Sequence, residues 1–172
     1  AGKLSGKVAI VTGGGSGIGR AIVDVYAANG ARVLAVDLPG RDWQAHFKGN
    51  PEVVCLEQDV TAQDAPGNVV NACVQAFGGL DILVNNAGIA IDDGPPSKVS
   101  GDVLRRTYET NVFGVVRATQ ALLPLLRRSA AGRIVNMSSG LASLAQNSDP
   151  NWEMVDAKYL AYNSSKSAVN AI

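Results

Sequence analysis

Tyr162 and Lys166 stand four residues apart near the end of this 172-residue chain. On a helix that spacing puts a phenol and an ammonium on one face. A free phenol, with a pKa of about 10, is a poor base at neutral pH. A neighbouring cation stabilises the phenolate and lowers that value. Such a pair can take the proton of an alcohol or return one to a carbonyl. Ser139 follows an apolar run upstream, and Asn111 lies further upstream still. The four residues read together as proton-transfer chemistry. Taken alone, Asn111 reads better as a polar residue that kinks a helix and is satisfied by backbone.

The opposite end carries a second chemical signal. Thr12-Gly13-Gly14-Gly15-Ser16-Gly17-Ile18-Gly19 follows an apolar strand at once and leads into a helix. Glycines there let the backbone turn tightly and approach a pyrophosphate at the helix N-terminus. The spacing is G-x-x-x-G-x-G over Gly13, Gly17 and Gly19, which differs from the G-x-G-x-x-G dinucleotide fingerprint. An ordinary glycine-rich turn is the alternative. Asp37, eighteen residues after Gly19, ends the next apolar run and is followed by Leu38. A carboxylate there accepts hydrogen bonds from an adenosine ribose and repels a 2′-phosphate. With no Lys or Arg among residues 13–16, the pattern favours NAD over NADP, although Arg41 lies close by. The alternative for Asp37 is a solvated loop residue.

Alternating apolar runs and helical stretches must position these groups, an arrangement that implies a parallel sheet covered on both faces. Strands are expected at residues 8–11 (7–12 at its widest), 33–36, 53–57, 82–85 and 134–136. Helices are expected at 18–29, 42–47, 65–77, 103–106, 111–128 and 159–172. Gly30 suits a helix C-cap, Pro66 a first helical turn, and Pro124 should bend or break its helix. Residues 141–156 show no clear periodicity, and a loop of that length is functional or mobile in most compact domains.

Bulk properties bound the answer. The length suits one domain with a sizeable core. Apolar residues make up 47% and charged residues 17%, with a formal net charge of zero. No basic face is implied, so nucleic acid and anionic membranes are poor partners. The apolar runs are too short to span a bilayer, and no charged-then-apolar leader opens the chain. The chain starts at Ala1 without Met, so its N-terminus is read as processed or otherwise derived. Cys55 and Cys73 fall in apolar patterns and are expected as reduced core residues of a cytoplasmic protein. With His46 the single histidine, no metal site is expected, and His46 itself reads as a surface residue. Trp43 and Phe47 lie near the expected adenine rim, and core packing or partial exposure accounts for them equally well.

Thr12–Gly19, Asn85-Asn86-Ala87-Gly88, Asn111, Ser139 and the Tyr162-x-x-x-Lys166 pair, in that order, resemble the short-chain dehydrogenase/reductase family. The resemblance runs from residue 3 to residue 172. It implies a Rossmann-like doubly wound parallel sheet, five strands in the order 3-2-1-4-5, in a single NAD(P)-binding domain over residues 1–172. By the same resemblance Gly13, Ser16, Gly17, Ile18 and Gly19 cradle the cofactor, and Asp37 and Leu38 face its ribose. Asp59 and Val60 hold the adenine, the Asp59 carboxylate taking its amino group. Asn86, Ala87 and Gly88 pass along the adenosine and central part. A strand-ending turn is the other reading of that last segment.

The resemblance also assigns the quartet. Tyr162 is the general acid and base, and Lys166 holds the nicotinamide ribose hydroxyls as well as tuning the phenol. Ser139, the second serine of Ser138-Ser139 and the one family members use, positions and polarises the substrate oxygen. Asn111 holds a water that links Lys166 to solvent. The implied reaction is hydride transfer between a secondary alcohol or carbonyl compound and NAD(H). A non-catalytic dinucleotide-binding or assembly module is the alternative. Homodimers or homotetramers would form through helices 111–128 and 159–172.

Two departures from the family pattern stand out. Ser139 and Tyr162 are 23 residues apart, a wider spacing than family members often have. The extra segment resembles the inserts of carbonyl-reductase-like members and is expected to overhang the substrate pocket. Trp152 and Met154 either line that pocket or belong to a surface excursion. Family members also usually run longer, so the sixth and seventh strands, and most of the pocket-forming segment with them, are expected to be missing by C-terminal truncation. That would leave the strand at 134–136 as an unprotected edge; a complete chain that covers this edge by self-association is the other reading.

Overall fold

The computed structural model describes residues 2–40 and 42–172, so Arg41 and Ala1 lie outside the described residues. The chain forms two compact units, one from residues 1–87 and 117–135, the other from 88–116 and 136–172.

The first unit is built on strands β1 (Val8–Thr12), β2 (Arg32–Asp37), β3 (Val53–Glu57), β4 (Ile82–Asn85) and β5 (Arg133–Asn136, whose last residue belongs to the second unit). They form one sheet in the order β3-β2-β1-β4-β5. β1 pairs in parallel with β2 (Ile10 opposite Leu34) and with β4 (Ile10 opposite Leu83), and β2 pairs in parallel with β3. β1 is buried along its whole length, as a central parallel strand with both faces covered must be. Val8 and Ile10 share one face and one core with Leu34, Val36 and Leu83, where helices α2 (Ala65–Phe77) and α4 (Gly114–Leu126) contribute Val69, Cys73, Leu122, Leu125 and Leu126. Helix α1 (Gly17–Ala28) packs on β1 and β2.

Several local expectations are met. Gly30 follows the α1 C-cap with φ +86°, and its amide donates to the Ala27 carbonyl. Pro66 sits in the first turn of α2. Cys55 and Cys73 are both free, and burial pushes the Cys73 thiol up to about 11, whereas Cys55 on β3 is only half-buried and not the core residue expected.

Others are corrected. Helix α4 runs through Pro124 to Leu126 without a break. A helix-interior proline costs about 3 kcal/mol. Burying Leu122, Leu125 and Leu126 offsets it, at about 1.5–3 kcal/mol for each such side chain. Residues 44–47, not 42–47, form a short 3₁₀ turn, from which Trp43 and Phe47 turn inward and are buried. The His46 ring does lie at the surface, with Nε2 3.0 Å from the Asp24 carboxylate.

The second unit is helical. Helix α3 (Gly101–Tyr108) is longer than the expected 103–106, because the Ser100 hydroxyl caps it by accepting from the Val103 amide. The helix expected from residue 111 does not begin there. Residues Glu109–Phe113 form a π-turn that carries α3 into α4, with the Gly114 amide donating to the Glu109 carbonyl. The aperiodic stretch after residue 140 contains a 3₁₀ turn (Gly140–Ala142) and the short helix α5 (Leu144–Asn147). Helix α6 (Leu160–Val169) is shorter than the expected 159–172 and packs against α3, the π-turn and the 140–142 turn. Among the described residues, no helix is long and apolar enough to cross a membrane, and no His, Cys, Asp and Glu cluster could hold a metal.

Candidate active site

The glycine loop is shaped by close approach. A Cβ on Gly19 would collide with the Gly13 carbonyl, and one on Gly13 would lie 2.9 Å from Ala87 Cα. Gly13 and Gly17 adopt φ of +65° and +51°, which other residues avoid. A Cβ on Gly15 would meet the Trp43 indole at 2.7 Å. Trp43 therefore braces the loop from beneath, with Nε1 donating to the Leu38 carbonyl at 3.1 Å. That decides between the two readings of Trp43 in favour of packing.

Hydrogen bonds fix the loop to its neighbours. Asp37 Oδ2 accepts from the Gly15 amide and Oδ1 from the Leu38 amide, each at 2.7 Å. Each oxygen keeps a lone pair. Asn86 Nδ2 donates to the carbonyls of Thr12 and Gly13 at 3.0 and 3.1 Å. The Thr12 hydroxyl, which sequence reasoning missed, accepts from the amides of Asn86 and Ala87. The Asn86 side chain thus holds the loop in shape. Asp59 Oδ1 accepts from the amide and hydroxyl of Thr61, at 2.8 Å each, leaving Oδ2 for another donor. Val60 beside it is half-buried, as is Ala87, and Gly88 is exposed.

Helix α1 begins beside this loop. Its N-cap residue Ser16 makes no side-chain cap, and no acidic residue occupies the first turn. Uncapped amides at a helix N-terminus favour an anion. Ile18 and Leu38 are exposed apolar residues here. The cradle fits a dinucleotide: small residues where backbone must come close, free amides for a pyrophosphate, and a fixed carboxylate for ribose hydroxyls.

In the second unit, the spacing of Tyr162 and Lys166 is realised on α6. Lys166 Nζ lies 5.9 Å from the centre of the Tyr162 ring. Lys166 is buried, and desolvation pulls its ammonium below the usual lysine range. Nζ donates to the Met137 carbonyl at 2.7 Å, which leaves two of its N–H bonds for other acceptors. Ser138 donates its hydroxyl to the Lys166 carbonyl at 3.2 Å, so it serves the helix. The Ser139 hydroxyl instead accepts from the Leu141 amide, which leaves its own hydrogen available to a ligand oxygen.

Asn111 is fully buried in the π-turn. Its Oδ1 accepts from the Ile89 amide at 2.8 Å, and Nδ2 donates to the Ile89 carbonyl and to Ser165 Oγ, each at 2.9 Å. The backbone-satisfied reading is therefore realised, and one lone pair of Oδ1 remains for a water. Ser165 and Asp92 were missed. Ser165 Oγ donates to the Tyr162 carbonyl at 2.7 Å; the three-residue spacing of a serine after a helical residue is a usable signal. Asp92 accepts from the amides of Ala161 and Tyr162 across some seventy residues, a link with no local signal. In the insert, Trp152 Cζ2 lies 3.9 Å from where a Gly140 Cβ would stand, and Met154 is exposed.

The family described as short chain dehydrogenase matches residues 7–172. A cis-1,2-dihydrobenzene-1,2-diol dehydrogenase of Pseudomonas putida is 41% identical over 143 residues, covering 80% of this chain and 52% of that one. An L-fucose dehydrogenase of Bos taurus is 36% identical over 144 residues, covering 84% and 53%. The crystal structure of a short chain dehydrogenase from Burkholderia cenocepacia in complex with NADP matches with TM-score 0.82 and 36% identity, over 98% of this chain and 66% of that chain. One from Burkholderia phymatum in complex with NAD matches with TM-score 0.84 and 28% identity, over 99% and 59%. The chain belongs to the short-chain dehydrogenase family, and its five-stranded parallel sheet is Rossmann-like. It spans about half the length of the curated relatives it matches.

Proposed function

We propose that this chain, as one NAD(P)-binding domain over residues 1–172, carries the cofactor and proton machinery of an oxidoreductase acting on a secondary alcohol or a carbonyl compound. The observation that carries the reading is the Lys166 ammonium, buried on α6 and set 5.9 Å from the Tyr162 ring. A phenol beside a desolvated cation is suited to move a proton. The presence of Ser139 with a free hydrogen favours catalysis over a non-catalytic binding module.

The nicotinamide cofactor, when bound, supplies the hydride acceptor or donor. Gly13, Ser16, Gly17, Ile18 and Gly19 would hold its pyrophosphate side. Asp37 and Leu38 would take the adenosine ribose, Asp59 and Val60 the adenine, and Asn86, Ala87 and Gly88 the adjoining stretch. Tyr162 holds and moves the substrate proton, Ser139 donates to the substrate oxygen, and Lys166 offers two N–H bonds to ribose hydroxyls. Asn111 Oδ1 offers its remaining lone pair to a relay water. The Asp37 carboxylate, fixed by two backbone amides, supports NAD as the preferred cofactor, because a 2′-phosphate would meet its charge. Action in the cytoplasm as a homodimer or homotetramer, without nucleic acid or membrane, completes the proposal.

The test is NADH binding by fluorescence, followed by turnover of a panel of cyclic and acyclic alcohols and ketones. NADH binding with turnover of at least one substrate is expected. NADH binding without turnover of any would overturn the catalytic reading, and no binding would overturn both.

A further inference from the structure

Both backbone polar groups of Tyr162 are held by side chains. Its amide donates to Asp92 Oδ2 at 3.0 Å, and its carbonyl accepts from Ser165 Oγ at 2.7 Å. The other Asp92 oxygen, Oδ1, accepts from the Ala161 amide at 2.8 Å. These two amides belong to the first turn of α6, where no intrahelical acceptor exists. The residue in the N-cap position, Tyr159, makes no side-chain cap. A carboxylate from 70 residues upstream therefore does the work that Ser, Thr or Asp usually does next door.

Asp92 is itself held in place. Three residues before it, Ile89 is gripped through both its amide and its carbonyl by Asn111, and Asn111 also donates to Ser165. Ile89, Asn111, Ser165, Tyr162 and Asp92 thus form a closed circuit, completed by the chain from 89 to 92. The circuit surrounds the turn that carries the phenol. A buried Asn and a half-buried carboxylate fix the register of that turn.

We propose that Asp92 is a positioning residue for Tyr162: its carboxylate anchors the first turn of α6 and so sets where the phenol stands beside Lys166. This rests on the catalytic reading of Tyr162 given above. Neighbouring Asp93 is exposed and serves as the control.

Asp92→Ala, Asp92→Asn and Asp93→Ala are compared with the unaltered chain by two independent measurements. The first is amide hydrogen exchange with the nuclear Overhauser contact between the Tyr162 ring and the Lys166 side chain, neither of which needs turnover. In Asp92→Ala, protection at Ala161 and Tyr162 should fall by about tenfold or more, since a lost cap frees both amides. The ring contact should weaken, while protection over residues 166–169 holds. Asn retains one acceptor and should restore part of the protection. The second is steady-state kinetics. A displaced base lowers kcat by roughly 10-fold to 100-fold, with KM for NAD changed less than about twofold. Asp92→Asn should recover part of kcat, and Asp93→Ala should alter nothing.

Unchanged amide protection in Asp92→Ala would overturn the cap. Lost protection with the ring contact and kcat intact would overturn the positioning role. If the unaltered chain turns over no substrate, the catalytic reading fails, and the exchange and ring-contact measurements still decide whether Asp92 sets the phenol.

Discussion

The Asp37 carboxylate accepts the Gly15 amide at 2.7 Å, so the end of β2 and the glycine loop hold one another. The group expected to choose the cofactor is also the group that shapes the cradle. Asp37→Ala should weaken NADH binding and relax discrimination against NADPH. Parallel fluorescence titrations with the two cofactors check this. An unchanged preference would show that Asp37 does not meet the ribose.

Two glycine-to-alanine substitutions should act in opposite directions. Gly19→Ala drives a methyl group into the Gly13 carbonyl, and overpacking of this kind costs about 1–3 kcal/mol. It should also abolish NADH binding. Gly67 lies in α2 with open space around its missing side chain. Gly67→Ala should raise stability by about 0.5–1 kcal/mol through helix propensity. Urea denaturation of both variants gives the two values.

Burial raises the Cys73 thiol from 9.0 to about 11. In the unfolded chain the thiol deprotonates at the lower value, so between these limits the native state holds more protons. Stability then falls as pH rises through this window. The difference in unfolding free energy between the unaltered chain and Cys73→Ala should be flat below pH 9 and shrink from 9 towards 11. A difference independent of pH would show that the thiol is not desolvated.

Much of the fold was legible because its signals are local. The strands are short continuous apolar runs, which a parallel sheet buried on both faces requires. Tyr162 and Lys166 were legible because four residues make one helical turn. What escaped is what depends on distant partners. Asn111 lies in a π-turn rather than at a helix start, and its side chain answers to Ile89, 22 residues earlier. The grip of Asp92 on α6 spans even more of the chain. Pro124 reads as a breaker locally, and the leucines around it carry α4 through. Trp43 reads as either rim or core until the space beneath Gly15 is known.

The most direct test of the account is single-turnover kinetics of Tyr162→Phe beside its NADH affinity. Phenylalanine keeps the ring and its packing and removes only the proton-carrying oxygen. Turnover should fall by at least about 10²-fold, the lower range for losing a general acid–base group, with NADH affinity nearly unchanged. Turnover equal to that of the unaltered chain would contradict the assignment of Tyr162 as the base.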